Sequence, residues 1–339
     1  MKKSLIALAV MAAAGAASAQ SSVQLYGIAD VWFGTAKVED GAGKKVYGQA
    51  NANGIKFNQT QLTSGGVNNS RWGLKGSEDL GGGLKAIFTL EQGFNLDDGT
   101  SAGGFNREAT VGLAGNFGTV KLGKQYNAFD DVSGAASTLF DSDLAPINNV
   151  FESTAFADTE ANTVKYISPT FSGFSGSVSY SFGENKTATT DATNNYALAG
   201  QYANGPLALG VGYVVVDSAA GETKATRLNG SYNFGVATLK ASYGMVDYTN
   251  NDETNEFEIG VDYPVASNLI LSAGYALSKR DYSLTGKEGE SQSIGLAAAY
   301  LLSKRTTVYA GITGVEYENN LGAKAVDGTV YAVGLNHKF

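Results

Sequence analysis

The sequence predicts an all-β chain, a transmembrane 16-stranded antiparallel β-barrel, and three observations point to it. Apolar and polar residues alternate with a period of two from one end of the chain to the other, which marks two-faced strands rather than helices. The links between alternating segments are short on one side and long and polar on the other, the pattern of barrels that cross a membrane. Gly (44 residues) and Tyr (18) are abundant while Pro (4) is scarce, which favours many strands and turns. After residue 20 no apolar run approaches the roughly 18 residues of a membrane helix. A closed barrel needs none, because its backbone groups are satisfied between strands.

Sixteen segments carry the alternation: 23–34, 70–79, 83–94, 106–115, 118–126, 162–168, 174–183, 194–203, 206–216, 224–234, 236–248, 255–265, 268–282, 290–302, 305–318 and 328–339. In the first, Leu25, Gly27, Ala29 and Val31 share one face, and Gln24, Tyr26 and Asp30 the other. In the tenth, Arg227, Asn229, Ser231 and Asn233 oppose Leu228, Gly230, Tyr232 and Phe234. In the twelfth, Glu256, Glu258 and Asp262 oppose Phe257, Ile259, Val261 and Tyr263. Links after even-numbered segments are turn-like, as at Asn204-Gly205, Gly235 and Ala266-Ser267. The string Gly81-Gly82-Gly83 is one of these turns; it lacks the spacing and following helix of a phosphate loop. Links after odd-numbered segments are long, above all 41–69 and 127–161. An even count closes an up-and-down barrel with both termini at the short-turn end, and about 16 strands leave an aqueous lumen. A two-sheet sandwich would bury the same faces, and the one-sided link lengths decide for the barrel.

The first residues read as a label. Lys2 and Lys3 precede an apolar stretch from Leu5 to Ala14, and Ala17-Ser18-Ala19 is a small-residue cleavage site. Residues 1–19 are expected to be removed, leaving one domain over 20–339. Loss of the two lysines moves the formal net charge from −8 to −10. So acidic a chain has no electrostatic affinity for nucleic acid. The absence of cysteine excludes disulfides and thiolate metal sites, and a single histidine, His337, leaves little His-based catalysis.

Several stretches resemble the Gram-negative general porins of the betaproteobacterial and neisserial type. They are Val23-Gln24-Leu25-Tyr26-Gly27 with Asp30, the block SRWGLKGSEDLGGGLKAIFTLEQGF over 70–94, REATVGLAGNFGTVKLGKQ over 107–125, and Asn162-Thr163-Val164-Lys165-Tyr166. The closing run from Gly334 to Phe339 resembles the last strand of that family, where a terminal aromatic is read as a signal by the barrel-assembly machinery. One departure stands at Gly123-Lys124-Gln125, where the family usually has Arg in place of Lys; Lys keeps the charge but loses the planar fork. The resemblance implies a homotrimer in the outer membrane, in contact with lipid and lipopolysaccharide, each barrel holding a water-filled pore. It also implies that the third long loop, 127–161, folds inward as the constriction. Phe129, Leu139, Phe140, Leu144, Ile147, Val150, Phe151 and Phe156 suit packing of that loop against the wall.

Strand phase and resemblance together place the candidate residues. Trp72 and Leu74 take the lipid phase, so Arg71 and Lys75 point inward; Lys121 lies between outward Val120 and Leu122, and Lys85 shares a face with Thr89 and Glu91. Lys124 joins this basic wall by resemblance, although Gly112 and Gly123 could mark bulges that reset its phase and that of Arg107. The facing acids are Asp130, Asp131, Asp141, Asp143 and Glu152 of the loop, with Asp30 from the first strand. Acidic loop against basic wall sets a transverse field across the opening. Asp141-Ser142-Asp143 lacks the full spacing of a calcium loop, so no metal or cofactor is assigned.

The expected function is passive diffusion of small hydrophilic solutes and ions, with a weak cation preference from the all-acidic loop. Two rivals differ in class. A barrel hydrolase would need a His base beside Ser or Asp, and His337 sits on the lipid-phase face close to the last residue. A soluble exported β protein would purify without detergent, whereas a barrel migrates on gels according to heating.

Overall fold

A computed structural model describes residues 22–39, 45–46, 49–50, 57–318 and 324–339, and the expected leader lies outside them. The strands are β1 (Ser22–Glu39), β2 in two collinear segments (Phe57–Ser64 and Arg71–Gly81), β3 (Leu84–Gly93), β4 (Glu108–Gly115) and β5 (Gly118–Tyr126). They continue with β6 (Thr159–Ile167), β7 (Phe174–Ser181), β8 (Asn195–Asn204), β9 (Leu207–Ser218), β10 (Gly221–Asn233) and β11 (Thr238–Asp247). The last five are β12 (Glu253–Ala266), β13 (Leu269–Tyr282), β14 (Lys287–Leu301), β15 (Thr306–Glu318) and β16 (Lys324–Lys338). Each pairs antiparallel with the next, and β16 pairs with β1 from Ile28↔Lys338 to Glu39↔Asp327, closing a 16-stranded barrel. Beyond the ladder, Phe339 exchanges both backbone hydrogen bonds with Gly27 at 3.0 Å, so the final residue completes the seam.

The burial pattern is that of a soluble protein turned inside out. Along β12, Thr254, Glu256 and Glu258 are buried while Phe257 and Ile259, in the opposite phase, are exposed on the outer face. A fully enclosed polar face beside an exposed apolar one is stable only where the outer solvent is lipid.

The sixteen expected segments coincide with the sixteen strands, with two corrections. First, residues 57–64 are strand, not loop: they pair with Val31–Val38 of β1 through the register Val31↔Ser64 to Val38↔Phe57. Their run Asn58-Gln59-Thr60-Gln61 hides the alternation, because both faces there are polar. Second, the long-link rule holds only for part of the barrel. Residues 94–107, 127–158 and 182–194 are long links, but β9 and β10 are joined by Ala219 and Ala220 alone, and β13 and β14 by 283–286. There the asymmetry lies in strands that extend farther, not in longer loops.

The longest of these links, 127–158, contains the helices Asp130–Ser133 and Pro146–Val150 and the tight turns Leu139–Asp141 and Glu152–Phe156. It folds into the barrel. Leu139, Leu144, Ile147, Val150 and Phe151 bury themselves with Trp32, Tyr309, Val315 and Tyr317 of the wall, and Phe129 with Ala197, Val214, Ala225 and Val246. The interior apolar core is thus the back of this loop against the strands. Phe140 and Phe156 are only half-buried.

Candidate functional site

The loop is tied to the wall of β10–β15 by bonds from its whole length. Arg227 of β10, fully buried, donates to Ser133 O (2.8 Å) and Ser153 Oγ (2.6 Å), joining the two ends of the loop. Its guanidinium lies over the rings of Phe151 (5.1 Å) and Phe129 (5.9 Å), and the carboxylates whose field it feels are Glu256, Glu258 and Asp141. Glu256 accepts from the backbone N–H groups of Glu152 and Ser153 and from Ser153 Oγ. Glu258 accepts from Thr138 Oγ1 at 2.8 Å, Ser272 Oγ from Leu139 N at 2.8 Å, and Thr313 Oγ1 donates to Leu144 O at 2.6 Å. Buried polar groups bonded in this way hold one geometry, because breaking any of these bonds leaves its partner unpaired.

Across the lumen stand the inward faces of β1–β5. Glu91 is the hub there: Arg107 Nε lies 2.7 Å from one oxygen, Arg71 Nε 3.5 Å from the other, and the Tyr26 hydroxyl donates to it at 3.0 Å. Lys75 Nζ sits 4.9 Å above the Tyr26 ring, and Lys121 pairs with Glu108. Four cations therefore face two carboxylates on this wall. Arg107, whose phase the sequence leaves open, belongs to the cluster. Lys85 does face inward but pairs with Asp79 and Ala114 beside the short turns, so it lies at the mouth and not at the cluster. Lys124 follows Gly123 (φ 129°) at a shift in the β5–β6 register, and among the described residues it pairs with neither carboxylate, which are taken by Arg107 and Lys121.

The expected acids divide into two groups. Asp131 pairs with Lys165 at 2.7 Å, and Glu152 pairs with Arg280 at 2.8 Å and accepts from the Tyr248 hydroxyl. Both are neutralised by the wall that they face and serve as loop anchors. Asp130, Asp141 and Asp143 have no ion pair among the described residues, and Asp141 and Asp143 are open to water. Burial, then the charge of Asp131, raises the Asp130 carboxyl to about 6, against the pull of Lys165 and Arg107. Enclosure by the barrel, then Asp30 and Asp141, raises Asp143 to about 7; its contact with lumen water screens these charges and limits the rise.

Asp30 is a correction. It does not line the opening: it is wholly buried, and accepts from the backbone N–H groups of Gly66 (3.0 Å), Val67 (3.3 Å) and Asn68 (3.0 Å). Tyr309 Oη at 2.7 Å and Asn336 Nδ2 at 2.6 Å complete its shell. A ring of successive N–H groups around one carboxylate is an anion nest. It fixes the excursion 65–70 that interrupts β2, and Gly66 O in turn accepts from Asp143 N at 2.8 Å, which ties the loop tip to the opposite wall.

The sequence model of the family described as Gram-negative porin matches residues 5–320. The chain is 35% identical over 361 residues to outer membrane porin protein 32 of Delftia acidovorans, covering 99% of this chain and 95% of that protein. The chain belongs to the Gram-negative porin family. It is 31% identical to the major outer membrane protein P.IA of Neisseria meningitidis serogroup C, over 85% of this chain and 88% of that one. Among solved structures, the anion-selective porin from Comamonas acidovorans superposes with a TM-score of 0.78 at 29% identity, covering 94% of this chain and all of that one. This porin is accordingly an outer-membrane β-barrel.

The loop partners Arg227, Glu256 and Glu258 of this porin were legible as lumen-facing, because each alternates with an outward apolar residue. Their pairing with the loop was not, since 74 to 120 residues separate the partners. Lys165 and Glu91 fall in the same class: the phase is visible, the partner is not.

Proposed function

We propose that this porin forms a water-filled channel for passive diffusion of small hydrophilic solutes and ions, after removal of residues 1–19 as an export leader. One observation carries the reading: a closed barrel with a polar inner wall has an in-folded loop whose unpaired acids face a cluster of surplus cations. Such a transverse field orders water and polar solutes in the opening and penalises apolar ones. The subunit acts as a homotrimer. The apolar outward residues Val23, Leu25, Leu62, Val111, Leu113 and Leu122 of β1–β5 suit burial against a neighbouring copy, and the remaining outer face suits lipid and lipopolysaccharide. Phe339, laddered to Gly27, is the residue presented to the assembly machinery. No reaction is assigned; the His337 ring contacts the Thr306 hydroxyl at 2.9 Å.

Selectivity follows from the residues left unpaired. Asp130, Asp141 and Asp143 slightly outweigh the two surplus cations of the wall, which gives a weak cation preference at neutral pH. A second reading, anion preference, is favoured by the way Arg71 and Arg107 share the single carboxylate Glu91, and by the anion-selective solved structure. The test is planar-bilayer recording of detergent-purified protein under a KCl gradient. Conductance steps in groups of three support a trimeric open channel, and the sign of the reversal potential chooses between the two readings. A folded, heat-modifiable barrel that conducts nothing would sink the channel reading.

A further inference from the structure

We propose that a row of glycines on the inner wall of β9–β15 is the seat that sets where the in-folded loop stands, and so the size limit of the opening; this rests on the channel reading above. An ideal Cβ added at each would meet a loop atom within ordinary contact distance. At Gly212 it would stand 2.6 Å from Val132 Cγ2, at Gly244 2.8 Å from Ser153 Oγ, and at Gly260 2.2 Å from Thr138 Cγ2. At Gly274 it would stand 2.1 Å from Thr138 Oγ1, at Gly295 2.7 Å from Leu139 Cδ2, and at Gly311 2.8 Å from Leu144 Cδ1. None of the six has a positive φ, so the backbone does not require glycine at these positions. What they supply is space.

The register makes the seat continuous. Gly212, Arg227, Gly244 and Glu256 are direct neighbours across β9–β12, and Gly260, Gly274, Gly295 and Thr313 across β12–β15. The first row alternates places where the wall recedes with side chains that bond the loop, Arg227 and Glu256; the second sets three receding positions in succession and ends on Thr313, which bonds it. The glycines let the loop approach; the polar residues hold it there. A methyl added to a close-packed contact cannot be absorbed without displacing one side, and the loop is the side backed by water. The size of the opening is therefore determined on the wall behind the loop, away from the charged edges that face the solute.

Gly212 gives the cleanest test, because the three atoms nearest its added Cβ all belong to loop side chains, Val132 and Phe129. Gly212→Ala should lower single-channel conductance by roughly two-fold and slow the uptake of larger sugars into proteoliposomes more than that of small ones. Val132→Ala in the same chain removes the colliding methyl and should restore both. Should Gly212→Ala fail to give heat-modifiable barrels, Val132→Leu, which enlarges the loop side of the same contact, should narrow the opening in its place. A folded Gly212→Ala channel with native conductance and size limit, or a double variant that stays narrow, overturns the seat. A conducting parent chain separates that result from failure of the channel reading, in which no variant and no parent would conduct.

Discussion

Asp30 and Asp143 are the same residue type in one lumen with opposite work to do. Asp30 sits in a closed shell of five donors, three of them backbone N–H groups. Asp143 stands open to water with no ion pair among the described residues. Asp30→Ala leaves buried donors unsatisfied and should cost on the order of 3–5 kcal/mol. The expected observation is a lower midpoint for the heat-dependent mobility shift in detergent, while the surviving channels keep their reversal potential. Asp143→Asn should do the reverse, moving the reversal potential toward anions with little change in the heat midpoint. The face alternation of β1 makes Asp30 visible as inward; it cannot reveal that the excursion 65–70 caps it, because that cap comes from a segment 36 to 38 residues away.

The loop is the element on which permeation turns, and its charge is adjustable. Asp130 and Asp143 have carboxyls raised to about 6 and about 7, so acid neutralises them first. The guanidinium groups facing them stay charged throughout. As pH falls from 8 to 5 the loop loses negative charge and the wall keeps its positive charge, so the reversal potential under a KCl gradient should move toward anion preference. An unchanged potential over that range would mean that these carboxyls titrate lower, as unhindered ones do. The sequence makes the loop recognisable by its length, its seven acids without a basic residue, and its apolar residues. Which acids would be consumed as anchors was not legible: Asp131 and Glu152 look no different in the sequence from Asp130 and Asp141. Lys165 and Arg280 decide it, and they reach the loop only because β6 and β13 happen to run past it.

At the scale of the molecule, a lumen that carries both signs of charge in separate patches selects by a difference of small fields. Two opposite unit charges about 8 Å apart attract by only roughly 0.5 kcal/mol in water. Salt should erode even that: the Debye length falls from about 10 Å at 0.1 M to about 3 Å at 1 M. The cation-to-anion permeability ratio should therefore approach that of free solution as a constant gradient ratio is recorded at rising KCl. A ratio that held at 1 M would point instead to a bound-ion filter, with direct coordination in the opening.

The sequence by itself determined the strand count, the inward and outward faces, and the side on which the turns are short. All of these follow from local rules, the period of two and the chemistry of turns, that need no knowledge of distant neighbours. It also carried the segment 57–64 without showing it as strand, because its run 58–61 is polar on both faces and has no period to read. Only the tertiary structure decided which carboxylates stay free, that Asp30 is a buried tie, and that glycines on six strands open a seat for the loop. Those are properties of register. Closing the barrel brings Asp30 beside Tyr309 across 279 residues of chain, and no local pattern encodes which side chains such a closure sets face to face.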